Sequence, residues 1–189
     1  MAYFPMMVDL EDAAVLIVGG GATALRKAQQ LISFGARCHV IAPGVDEGFK
    51  ELSCEIEERG YAEGDIERLM PLAIVIAATD DHKLNHDIGE RCRQLHIRVN
   101  VVDDPELSTF IFPSIVRDGD VLCAITSGGK SPLVSQHIKK LIEDIMPVGI
   151  GGINEEMGRY KEEIMRTEPD IKKRRAMLKA KFAELLQQL

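Results

Sequence analysis

The chain has 189 residues, 46% of them apolar and 28% charged, with a formal net charge of −7. Those values describe a folded globular protein with room for one core of ordinary size and a small appendage, and they exclude a disordered chain. The acidic balance speaks against general nucleic-acid binding, and no apolar run reaches the roughly 18 residues that a membrane span needs.

The start, Met-Ala-Tyr-Phe-Pro, lacks the basic and long apolar regions of a secretory signal. Cys38, Cys54, Cys92 and Cys123 are far apart and form no C-x-x-C pair, and Cys38 and Cys123 fall in apolar runs where they read as small buried hydrophobes. A reducing cytoplasm is the expected compartment. Residues 155–189 carry nine basic and seven acidic side chains, so an acidic body leads into a mildly basic tail. Lys172-Lys173-Arg174-Arg175 is the densest point of that tail and reads as a solvated helix face.

Strand-like runs are predicted at residues 14–18, 38–42, 73–79 and 97–102, with a weaker one at 54–57. Helix-like segments are predicted at 22–34, 65–70 and 82–95. Near-continuous apolar strands separated by helices specify a parallel sheet covered on both faces, a Rossmann-type doubly wound α/β domain whose ligands sit at the carboxyl ends of the strands. After Pro105 the pattern changes. Two β-type runs flank Arg117-Asp118-Gly119-Asp120, a hairpin signal, and Pro132 opens a helix reaching Met146. "PVGIGG", residues 147–152, reads as a linker. Beyond it, Ile153, Met157, Tyr160 and Ile164 recur at helical spacing. Thr167-Glu168-Pro169 restarts a second helix whose apolar face carries Ile171, Leu178, Phe182, Leu185 and Leu189. The expected division is residues 1–113, a nucleotide-binding domain; 114–148, a small α+β segment; and 149–189, a short helical domain.

Four stretches carry candidate chemistry. "VLIVGGGATALRKA" runs from a strand through Gly19, Gly20 and Gly21 into a helix. Gly19-x-Gly21-x-x-Ala24 has the dinucleotide fingerprint spacing, in which free N–H groups and the helix start face a phosphate. Ala22 and Thr23 complete that loop. The expected acid at the end of the second strand is missing: Pro43 stands there, Asp46 follows, and no arginine marks a 2′-phosphate site. In "IAATDD" the alanines admit a cofactor and Thr79 offers a hydroxyl, while Thr79 or Asp80 also suits a helix N-cap. "NVVDDP" ends the fifth strand beyond Val101 with Asp103 and Asp104. A carboxylate there is placed to take a proton from substrate, and it equally suits turn chemistry before Pro105. In "TSGGKSP", Ser127, Lys130 and Ser131 could hold an anion, or Ser131 could simply cap a helix with Pro132 at its first position. His82 and His86 stand at i, i+4 without a third ligand in any recognisable pattern, so no metal is expected; there is no Tyr-x-x-x-Lys and no G-x-S-x-G.

In order and spacing, "FPMMVDLEDAAVLIVGGGATALRKAQQL", "AATDDHKLN", "NVVDDPELSTFIFPSIV" and "TSGGKSP" resemble the precorrin-2 dehydrogenase family, the NAD-dependent part of siroheme synthase, over residues 3–146. The resemblance implies oxidation of precorrin-2 to sirohydrochlorin. NAD would lie on Gly19 to Ala24 with Thr79, Asp80 and Val101, and Asp103 would be the catalytic aspartate. It places Ser131 near a tetrapyrrole pocket and a homodimer contact at about 114–146. Arg26, Lys27, Lys130 and the basic tail cluster become candidate cations for the substrate's carboxylates. Some members also insert iron into sirohydrochlorin. A ligand-sensing NAD-binding module is the alternative from another class, since it too would need the glycine loop.

Overall fold

The computed structural model describes residues 3–187. Its contacts divide the chain into two compact units, residues 1–111 and 112–189.

The first unit is built on five parallel strands: β1 (Ala14–Val18), β2 (Arg37–Ala42), β3 (Cys54–Glu58), β4 (Ile74–Ala77) and β5 (Arg98–Val101), in spatial order β3-β2-β1-β4-β5. The helices between them are α1 (Ala22–Ile32), α2 (Asp65–Arg68) and α3 (His82–Gln94), with a 3-10 turn at Glu47–Glu51. The α/β, doubly wound architecture expected from the alternating pattern is therefore present. Both faces of β1 are buried because the apolar run is unbroken. Leu16 and Val18 join Val75, Ala77, Val99, Ile88 and Cys92 in the cluster under α3. Val15 and Ile17, one residue out of phase, face the side where α1 buries Ala24, Ala28 and Leu31. Each such Val, Ile or Leu side chain contributes about 1.5–3 kcal/mol on burial. Burial also pushes the Cys38 and Cys92 thiols up to about 12, so both behave as inert hydrophobes.

The β3 edge is tied down electrostatically. Asp65 is buried and accepts both arms of Arg59, at 2.8 and 2.7 Å, together with the Ala62 N–H at 2.7 Å and Arg68 Nη2 at 3.1 Å. Arg68 and Arg59 also hold Glu57, whose third partner is the His39 ring at 2.6 Å. The hydrogen bond from Arg68, with those from Arg59 and His39, lowers Glu57 to about 2, and Arg59 above all lowers Asp65. Asp65→Ala should cost about 2–3 kcal/mol, less than a fully buried pair because the Arg59 and Arg68 side chains are 37% and 47% exposed. Both carboxylates are depressed, so their contribution is complete above the ordinary carboxylate range. It is lost as pH falls from about 4.5 towards 2. Urea midpoints recorded across that window should fall steeply in the parent chain and less steeply in Asp65→Ala.

The second unit opens with an antiparallel hairpin, β6 (Ser114–Asp118) and β7 (Val121–Ile125), turning at Gly119-Asp120. Then come α4 (Pro132–Ile145), α5 (Ile150–Thr167) and α6 (Ile171–Leu186). Residues 147–152 are not the linker that their composition suggests. Gly151 lies inside α5 and is buried, because its N–H and that of Gly149 donate to Asp118 Oδ2 at 3.0 and 3.1 Å. A Cβ on Gly151 would meet the Asp118 carbonyl oxygen at 2.5 Å. The next helix starts at Ile171, beyond the expected Thr-Glu-Pro, and its cap is Asp170, whose carboxylate accepts from the Lys172 and Lys173 N–H groups. α5 and α6 form a hairpin closed by Ile153, Ile164 and Leu185 and by a Glu156–Lys181 ion pair of 3.0 Å. The expected apolar face of α6 is only partly used: Leu185 is buried, Leu178 half-buried, and Ile171 and Phe182 are exposed. Leu189 lies outside the described residues. Lys172, Lys173 and Arg175 are exposed and Arg174 half-buried, a solvated face.

Candidate functional site

The strand order reverses between β1 and β4, and the two loops leaving those strands meet at that point. Open α/β sheets bind their ligands in the crevice formed there. Gly19 has φ +119°, and a Cβ on it would stand 2.2 Å from the Ala78 carbonyl oxygen. On Gly20 it would stand 2.1 Å from the Gly44 carbonyl oxygen. Both positions are thus glycine because backbone from β4 and from the loop after β2 already fills the space. Gly21 is different. It caps α1 without a side-chain hydrogen bond, and a Cβ there would meet nothing within 4 Å. The uncapped start of an 11-residue helix therefore opens onto empty space above Ala22, Thr23 and Ala24. A dinucleotide pyrophosphate fits this cradle, with Gly21 letting it approach the main chain.

The loop after β4 is rigid. Thr79 donates its hydroxyl to Asn85 Oδ1 at 2.7 Å, Thr79 N–H donates to the same oxygen at 3.1 Å, and Asn85 Nδ2 donates to the Thr79 carbonyl at 2.9 Å. Asn85 is buried, and sequence reasoning passed over it. The hydroxyl expected to face a cofactor is thus committed to holding the loop. The helix cap is neither Thr79 nor Asp80 but Asp81, which accepts from the Lys83 and Leu84 N–H groups at 2.9 and 3.1 Å. Asp80 is exposed beside it. Val101 is buried and packs towards Gly89; its N–H donates to Ser108 Oγ at 2.9 Å, and its carbonyl accepts from that hydroxyl at 3.1 Å and from Asp104 N at 3.3 Å.

Past β5 the two adjacent aspartates part company. Asp104 is half-buried and its carboxylate accepts from Glu106 N and Leu107 N at 3.1 and 3.0 Å, closing the turn. Asp103 is exposed at the tip, in the left-handed region at φ 62°. A non-glycine residue held there costs about 1–3 kcal/mol and marks a constrained position. Turn chemistry and a projecting carboxylate, alternatives for one sequence motif, are divided between the two residues.

Of the candidate cations in this unit, Arg26 is exposed and Lys27 half-buried. Lys27 Nζ donates to Asn100 Oδ1 at 2.9 Å, and Asn100 Nδ2 donates to the Phe110 carbonyl at 3.2 Å. Burial, then the Arg26 guanidinium, lower Lys27 to about 8, against the Asp103 carboxylate, which raises it. Asn100 gave a signal that sequence reading missed: a lone amide in an otherwise apolar strand must find a partner.

Lys130 and Ser131 lie in the second unit. Ser131 caps α4, accepting from Val134 N at 3.4 Å, and its own N–H donates to Ser127 Oγ at 3.1 Å. Lys130 is exposed after Gly128 and Gly129, both at positive φ. His82 and His86 are exposed on α3, and among the described residues no three His, Cys, Asp or Glu side chains converge as metal ligands.

Residues 6–114 match a family described as "Putative NAD(P)-binding". The chain belongs to this NAD(P)-binding family. Its cradle residues all lie inside the matched segment. The chain is also similar to proteins named siroheme synthase. Siroheme synthase 2 of Aeromonas salmonicida is 36% identical over 188 residues, covering 97% of this chain and 38% of that protein. The siroheme synthase of Azotobacter vinelandii is 37% identical over 186 residues, covering 96% of this chain and 39% of that one. The chain therefore spans a little over a third of the length of these relatives. Among solved structures, "SirC, precorrin-2 dehydrogenase" superposes with a TM-score of 0.73 at 22% identity, covering 98% of both chains. That likeness confirms the fold of the NAD(P)-binding chain through its last helices.

Proposed function

We propose that the chain oxidises precorrin-2 to sirohydrochlorin with NAD as hydride acceptor, in the biosynthesis of siroheme and related modified tetrapyrroles, and that it does so in the cytoplasm. One observation carries this reading. Asp103 projects from the carboxyl end of β5 in a constrained turn, in the same unit as the uncapped glycine cradle, while Asp104 is occupied in holding that turn. The names of the relatives supply the substrate.

Bound on the cradle, a nicotinamide dinucleotide supplies the acceptor for a hydride. Gly19 and Gly20 keep the loop flat against β4 and the loop after β2, and Gly21 leaves the N–H groups of α1 open to the pyrophosphate. Residues 43–49, Pro-Gly-Val-Asp-Glu-Gly-Phe, contain two carboxylates and no cation, an unfavourable setting for a 2′-phosphate, which favours NAD over NADP. Loss of hydride from the reduced macrocycle leaves one proton to be removed, and the Asp103 carboxylate takes it. Arg26, exposed on α1 in the same unit as the cradle, is available for substrate carboxylates.

The working form we propose is a homodimer joined through residues 114–148. The support is α4, which leaves Leu133, Val134, Ile138, Leu141 and Ile145 exposed at helical spacing, with Val148 just beyond its end. Monomeric proteins rarely leave such a stripe uncovered. Ile138→Glu with Leu141→Glu should convert the dimer to monomer in light scattering after gel filtration, and an unchanged mass would remove α4 from the interface.

The decisive experiment supplies enzymatically made precorrin-2 and NAD, anaerobically and without metal. Equimolar NADH and sirohydrochlorin are expected. NAD binding without turnover would mark a sensing module instead.

A further inference from the structure

We propose that Ser108 is the positioning residue of Asp103: its buried hydroxyl clasps the β5 turn on both sides and so fixes where the Asp103 carboxylate projects. The catalytic consequence rests on the dehydrogenase reading of Asp103, while the clasp itself can be tested without turnover.

β5 is the last strand of its sheet, so the N–H and carbonyl groups on its outer side need partners from elsewhere. Residues 106–110 supply them by running back along that edge. Leu107 anchors this segment in the core cluster. Arg93 Nη2 holds the Glu106 carbonyl at 2.7 Å, and Asn100 Nδ2 holds the Phe110 carbonyl at 3.2 Å. Two hydroxyls then take the place of a neighbouring strand. Thr109 Oγ1 accepts from Val99 N at 2.8 Å, and Thr109 N donates to the Val99 carbonyl at 2.8 Å. Ser108 Oγ accepts from Val101 N at 2.9 Å.

Ser108 differs from Thr109 in what else it reaches. Its hydroxyl proton lies between the carbonyls of Val101, at 3.1 Å, and Asp104, at 2.9 Å. Its own N–H donates to the Asp104 carbonyl at 3.3 Å, and Asp104 N donates to the Val101 carbonyl at 3.3 Å. Asp103 stands between these two fastened residues with φ 62°. A non-glycine residue keeps such a backbone only where its surroundings enforce it. Thr109 therefore steadies the strand, whereas Ser108 ties the strand to the far side of the turn. Ser108 is 7% exposed and its one hydroxyl proton is committed, so it acts on the reaction through the turn and not by touching substrate.

The test compares the two hydroxyls in the whole protein. Ser108→Ala should lower kcat for NADH formation about ten- to a hundredfold, the cost of a catalytic group misplaced by about 1 Å, with KM and NAD affinity little changed. Thr109→Val should lower the melting temperature as well, yet keep kcat near that of the parent chain. In an Asp103→Asn background, Ser108→Ala should have no further effect on kcat, since there is no longer a base to misplace. Ser108→Cys, whose thiol fills the site with a weaker hydrogen-bonding group, is measured alongside and should show a partial kcat loss even if Ser108→Ala fails to fold. Full kcat in a folded Ser108→Ala or Ser108→Cys protein overturns the positioning role. So does an equal kcat loss in Thr109→Val, or an undiminished effect in the Asp103→Asn background. Amide hydrogen exchange gives the readout without turnover: Ser108→Ala or Ser108→Cys should speed exchange at Val101 and Asp104 at least about tenfold while leaving β1 unchanged. Unchanged exchange at those two amides overturns the clasp. If the parent chain makes no NADH from precorrin-2, the dehydrogenase reading fails, and the exchange arm still decides whether Ser108 holds the turn.

Discussion

Asp103→Asn should lower kcat for NADH formation by about 10²–10⁴-fold, the usual contribution of a positioned general base. The same substitution should leave NAD affinity and the melting temperature close to those of the parent chain. Asp103 is exposed, and asparagine is, like aspartate, tolerant of the left-handed backbone at φ 62°. Asp104→Asn should behave in the opposite way. Its carboxylate accepts two main-chain N–H groups, so the loss should appear first as a softened turn and lower stability. If Asp104→Asn carried the larger kcat loss, the roles assigned to the two carboxylates would be reversed. Measuring kcat, NAD affinity and melting temperature on both variants decides between them.

The glycine loop yields the second large effect, because its three glycines are glycine for different reasons. Gly20→Ala forces a Cβ to within 2.1 Å of a backbone oxygen that no side-chain rotation can relieve. Overpacking of this kind costs about 1–3 kcal/mol and sometimes more, so the variant should melt several degrees lower and bind NAD poorly as a by-product. Gly21→Val places its side chain in empty space with the backbone at φ −79°, which any residue adopts. It should fold as well as the parent chain and yet lose NAD affinity by at least about tenfold, or 1.4 kcal/mol, because the added methyl groups occupy the space a pyrophosphate needs. Calorimetric NAD binding alongside thermal melting separates the two cases. Undiminished affinity in a folded Gly21→Val protein would show that the dinucleotide does not lie on the start of α1.

Much of the nucleotide-binding half was legible because its signals are local. The run Ala14–Val18 is apolar at every position, which only a strand buried on both faces requires, and the strand occupies those same residues. Pro132 after Ser131 marks the start of α4, and Ser131 caps it. What escaped was tertiary. Asn85 looks like an ordinary polar residue of a helix, and only the fold brings it against Thr79, six residues away, so that the loop hydroxyl is already committed. Asn100 and Lys27 are 73 residues apart, and neither flags the other. The two aspartates after β5 are chemically identical, and only turn geometry tells them apart.

The bracket formed by Asp118 has a wider implication for how the second unit moves and how it tolerates alteration. Glycine-rich stretches are commonly joints, where chains flex, take insertions or are cut without harm. Here Gly151 is glycine because the Asp118 main chain leaves no room for a side chain, and the Asp118 carboxylate fastens the N–H groups of Gly149 and Gly151 to the end of β6. Residues 147–152 therefore act as a weld: the hairpin and the first turn of α5 travel together, and a spacer inserted at Gly149 would break the union of the two elements instead of lengthening a tether between them.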